Sequence, residues 1–158
     1  MSKPRFLFPH KAIRTIGILL TASGLLSIGT AVQFHGFANG LDAIIFYTGW
    51  MEVFCYNSLP LGLIIGLFGM YSGLTYSAGS QKSLYLAPLS ASLIAVYGAL
   101  LYRVIKESEV FFDALHLSTI SPNFWAAFAV FISVLLSTKS AAFHIDTERH
   151  LFETTESK

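Results

Sequence analysis

The sequence predicts an all-α, integral membrane four-helix bundle, and three observations carry that prediction. Charged residues make up 12% of the 158-residue chain against 54% apolar, where a soluble domain carries about 25% charge. Four stretches free of ionisable side chains are each long enough to cross a bilayer. The lysines and arginines divide unevenly between the two sides that those stretches define, as the positive-inside rule requires.

At 1.5 Å rise per residue, about 20 residues cross a hydrocarbon core roughly 30 Å thick. Residues 15–34, 53–81, 83–102 and 117–138 carry no Asp, Glu, Lys, Arg or His, which places spans near 13–34, 58–78, 83–103 and 122–143. A basic leader before the first span suggests a signal peptide, with Gly29-Thr30-Ala31 at the cleavage offsets. Pro4, Pro9 and the length of the apolar run favour a retained span instead.

Between the first two spans, residues 41–57 place Asp42, Gly49, Glu52 and Tyr56 on one narrow helical face and apolar side chains on the rest. That pattern predicts an amphipathic helix lying in the interface. Charge placement supports this over a fifth span. With four spans and a cytoplasmic N-terminus, Lys3, Arg5, Lys11, Arg14, Lys82, Lys139, Arg149 and Lys158 are inside and Arg103 and Lys106 outside, eight to two. Five spans give six to four, so both termini are expected in the cytoplasm.

Ser77-Ala78-Gly79-Ser80-Gln81 reads as a turn that makes spans two and three an antiparallel hairpin. Span three is expected to extend beyond the bilayer, because Val104, Ser108, Phe111, Phe112 and Leu115 keep helical spacing, with an Arg103–Glu107 pair at i,i+4. Ser121 is expected to N-cap a fourth helix opening at Pro122. Residues 144–158 form a charged cytoplasmic tail, so residues 1–158 read as a single multi-pass membrane domain without a separate soluble module.

Helices in lipid associate through close packing of small residues and interhelical hydrogen bonds, since lipid removes the hydrophobic drive between them. Gly62, Gly66, Gly69 and Gly73 mark such a face on span two, and Ala87, Ala91, Ala95 and Ala99 recur every four residues on span three. Ser23 and Ser27 pair on span one, near Gly17, Gly24 and Gly29. These faces either pack the four spans together or receive the helices of other integral membrane subunits.

The chemistry on offer is sparse. No charge lies in the middle of a span, Arg14, Arg103 and Lys139 being at span edges, which argues against a proton relay, a pump or an intramembrane protease. One cysteine excludes an internal disulfide, and neither CxxCH, GxSxG nor a Walker loop is present. The formal charge of +1 argues against nucleic-acid binding. His35 at the outer end of span one and His116 before span four form the one outer histidine pair that could supply the two axial nitrogens a b-type haem requires. The outer aromatics Phe34, Phe37, Tyr47, Trp50, Phe54, Tyr102, Phe111, Phe112, Phe124 and Trp125 make either an interfacial belt or the wall of a haem, quinone or pigment pocket. Asp113 and His116 repeat half of a di-iron motif without a second copy, so no metal is expected.

The resulting expectation is a non-enzymatic accessory or assembly subunit of a larger membrane complex, in a bacterial inner membrane or an organellar one. A redox or pigment-binding subunit using His35 and His116 is the alternative from another class. A small immunity-type or regulatory membrane protein needs only the same packing faces.

Overall fold

A computed structural model describes the backbone of residues 7–40, 49–107 and 114–156, and the side chains of 7–36, 49–106, 122–150 and 152. Among the described residues all regular structure is helical: α1 His10–Gly40, α2 Trp50–Ser77, α3 Ser83–Glu107 and α4 Ala114–Glu156. Each is long and apolar enough to cross a membrane. Their contacts close a ring in which α1 packs most extensively on α2, α2 on α3, α3 on α4 and α4 on α1. Neighbours run antiparallel.

The turn at Ser77 has the predicted location and a definite mechanism. The Ser80 N–H donates to the Thr75 carbonyl at 3.1 Å and the Gly79 N–H to the Tyr76 carbonyl at 3.2 Å. Gly79 sits at φ +73°. This is a Schellman close with glycine in the left-handed conformation that a Cβ disfavours, and five residues, 78–82, link α2 to α3.

Helix ends depart from expectation in three places. Residues 50–57 continue directly into the second span as the start of α2, so that half of the expected interfacial helix belongs to a membrane helix; residues 41–48 lie outside the described residues. The fourth helix opens at Ala114, placing Leu115 on α4 rather than on a longer α3. Pro122 is therefore inside α4, and Ser121 is not its cap. A proline within a membrane helix is tolerated where neighbouring groups re-satisfy the freed carbonyl, and Pro60 and Pro88 sit inside α2 and α3 likewise. Finally, the expected tail is helical to Glu156. At 43 residues α4 runs roughly 65 Å, over twice the hydrocarbon thickness.

Packing follows the small residues. On α2 the buried positions include Cys55, Ser58, Gly62, Gly66, Gly69, Gly73 and Tyr76, at the three- and four-residue spacings of a helix seam. Opposite them on α1 stand Gly17, Gly24 and Ala31, seven residues apart. A Cβ at Gly24 would lie 2.5 Å from the Gly66 carbonyl oxygen and 2.7 Å from the Met70 nitrogen. One at Gly73 would lie 2.5 Å from the Thr21 nitrogen and 2.6 Å from the Gly17 oxygen. The two backbones are in direct contact, which only glycine permits.

Hydrogen bonds stitch the rest of the ring. Ser72 and Ser90 join α2 to α3, and the Tyr97 hydroxyl donates to the Ser58 carbonyl at 2.9 Å. Tyr76 and Ser137 share a bond of 2.7 Å between α2 and α4. The Asn123 amide donates to Thr30 Oγ1 at 3.4 Å between α4 and α1. Several hydroxyls bond within their own helix: Thr21, Ser27, Thr30 and Ser133 each donate to the carbonyl four residues back.

Candidate functional site

The glycine and alanine faces are occupied within the chain. A Cβ at Gly62 would meet Ala31 and Tyr97, one at Gly66 would meet Ile28 and Gly24, and one at Gly69 would meet Ile94 and Gly24. Ala87, Ala91 and Ala95 are buried, and the first two join a core cluster with Ala127, Val130 and Val134 of α4. Ala99 alone of the eight is exposed. Any face left for a partner lies elsewhere.

The outward side of α1 offers one. Among the described residues, nothing lies within 4 Å of where a Cβ would stand at Gly29 or Gly36, and Ala22 completes the same seven-residue spacing in an exposed position. Gln33 is exposed between the two glycines. This strip combines close backbone access with an amide able to hydrogen-bond across a helix interface.

His35 is half-buried near the end of α1. The His116 side chain lies outside the described residues, while its backbone is in the first turn of α4. Thr30 meets Asn123 and His10 meets His144, and this register puts positions 35 and 116 within about one turn of each other on neighbouring helices.

The outer aromatics divide into three groups. Phe34 and Phe54 are core residues beside Tyr97. Tyr102 stacks on Phe124 at 5.6 Å, and Phe124, Trp125, Phe128 and Phe131 continue as a ladder of ring contacts down α4. Trp50 lies under the Arg103 guanidinium, 5.6 Å from its centroid, in cation–π range, so this arginine links the ends of α2 and α3. Phe37, Tyr47, Phe111 and Phe112 are outside the described side chains. At the opposite end Tyr76 is buried on Ser137, whereas Tyr71 and Tyr85 are exposed.

Between α1, α3 and α4 lies a cavity of about 20 Å³ lined by Ser23, Ser27, Thr30, Tyr97, Asn123 and Phe124, among others. That volume holds about one water molecule; a porphyrin or quinone ring does not fit. Comparison with protein-family models, curated proteins and solved structures found no match.

The sequence did not flag the contacts at the His10 end. The Phe8 N–H donates to Ser140 Oγ at 3.1 Å, and His144 Nε2 donates to the Phe8 carbonyl at 2.9 Å. The His10 and His144 rings meet edge-on at 5.9 Å. Together they fasten the segment before α1 to α4. Among the described residues, no three His, Cys, Asp or Glu side chains gather as a metal site would need; Asp42, Glu109 and Asp113 fall outside them.

Proposed function

We propose that the chain is a non-enzymatic accessory or assembly subunit of a larger membrane complex, acting through helix-to-helix contact. The observation that carries this reading is the outward face of α1, where Gly29, Gln33 and Gly36 face away from the bundle while the other glycine faces are filled. In lipid, small residues beside an amide are what a partner helix packs against. Gentle solubilisation from the native membrane should yield the protein with co-purifying integral membrane subunits. Gly29→Leu should keep the fold, having nothing within 4 Å to displace, and lose those subunits. Recovery of the wild type only as a free monomer overturns the reading.

Both termini are assigned to the cytoplasm on the charge distribution, in a bacterial inner membrane or an organellar one. A tag after Lys158 should accordingly resist protease in right-side-out vesicles and be cut once they are opened. Cleavage in sealed vesicles reverses the assignment.

A second reading, a haem-binding electron-transfer subunit, is favoured by the level at which the α1–α4 register sets positions 35 and 116. The same purified preparation separates the two readings: a visible absorption spectrum with haem bands supports the second, and a colourless complex the first.

A further inference from the structure

We infer that the cavity between α1, α3 and α4 is a binding site for a water molecule held within the membrane-spanning part of the bundle. Five polar side chains line it, and their donors are mostly spent, Tyr97 on the Ser58 carbonyl. Ser27 donates to the Ser23 carbonyl, Thr30 to the Leu26 carbonyl, and Asn123 to Thr30 Oγ1. Ser23 is different. Its side chain is 7% exposed and lines the cavity, yet among the described residues nothing hydrogen-bonds its hydroxyl. The Asn123 amide oxygen likewise has no hydrogen-bond partner among them.

A buried hydroxyl without a partner is costly where lipid supplies no hydrogen bonds. Serines in helices ordinarily bond a carbonyl one turn back, as Ser27 and Ser133 do here; Ser23 instead opens on a space of about 20 Å³. One water needs roughly 10–15 Å³ of such volume and two to four polar partners. Size and chemistry both match water. An acyl chain entering the same space would leave the Ser23 hydroxyl unsatisfied, and a larger polar molecule exceeds the volume. The water satisfies Ser23 and draws on the free lone pairs of its polar neighbours, so the α1–α4 seam is held by more than the 3.4 Å Asn123–Thr30 contact.

The test is solid-state NMR of the full-length protein in lipid bilayers, reading magnetisation transfer from water to carbon-bound sites. Ser23 and Asn123 should build up several-fold faster than Leu67, which is exposed on α2 near the same level. They should also exceed Ser92, a hydroxyl control bonded to the Leu89 carbonyl. In Ser23→Val the transfer at Asn123 should fall to the Leu67 rate. Ser23→Ala, which adds no bulk, should lower it in the same direction and serves if the valine variant does not fold. Build-up at Ser23 no faster than at Ser92, an Asn123 signal unchanged by both substitutions, or transfer to Ser23 from acyl-chain protons instead of water overturns the inference.

Discussion

Gly24→Ala should destabilise the protein by on the order of 3 kcal/mol, the upper end of what overpacking costs. The new Cβ would sit 2.5 Å from the Gly66 oxygen, 2.7 Å from the Met70 nitrogen and 3.1 Å from the Gly69 carbonyl carbon. All three are backbone atoms in a helix, so no rotamer change relieves the clash. The response left is for α1 and α2 to separate, breaking contacts along the whole seam from Gly17–Ser77 to Ala31–Gly62. Such a loss is a large part of the 5–15 kcal/mol that holds a folded protein together. The measurement is reversible denaturation in mixed micelles. Gly29→Ala is the matched control: it adds the same methyl to the same helix in open space and should leave the midpoint unchanged or slightly raised through helix propensity. Equal stability for wild type and Gly24→Ala would mean that the two helices do not touch there.

Ala91→Leu should cost about 2 kcal/mol by the same overpacking argument, applied to the seam of α3 and α4. Ala91 is 1% exposed and clusters with Ile94, Ala127 and Val130, so three added carbons displace close neighbours. Ala99→Leu, one face round on the same helix and exposed, should have little effect. Read from sequence alone, both alanines belong to one stripe that either packs the spans together or receives a partner helix. The structure separates them: the Ala91 variant should lose monomer stability in detergent even where no partner is present. A wild-type midpoint for Ala91→Leu would place that face against lipid.

The placement of charge made the four spans and the hairpin legible, because burying an ionised group in lipid is costly enough to be avoided throughout. Helix ends were harder. Met51, Val53 and Phe54 continue the apolar character of α2 toward its start, so the pattern between Trp50 and Ser58 suits an interfacial helix and the first turns of a span equally well. Polar residues are equally uninformative on α4, where His144 to Glu156 stay helical although their composition suits a solvated tail.

The glycine and alanine spacing identified faces of close approach but not their partners. Gly66 reads the same whether Gly24 or another protein's helix lies opposite, and only the ring closure of α1 on α2 and α4 decides it. The His10–His144 contact joins residues 134 apart in number and depends on the α1–α4 register, which no local pattern encodes. Ser23 was visible as a small polar residue; that its hydroxyl opens on a cavity depends on Asn123 and Phe124, brought there by a different helix.

Only 33–39% of the apolar window of each helix is buried inside the bundle. The remaining surface answers to a single demand, that it dissolve in hydrocarbon, and Leu, Ile, Val and Phe meet it interchangeably. Sequence there is free to drift, while Gly17, Gly24, Gly66 and Gly73 are held to hydrogen-sized side chains by the backbone across from them. Divergent chains sharing this architecture would therefore keep the spacing of a few glycines on the first two spans long after their overall identity had faded.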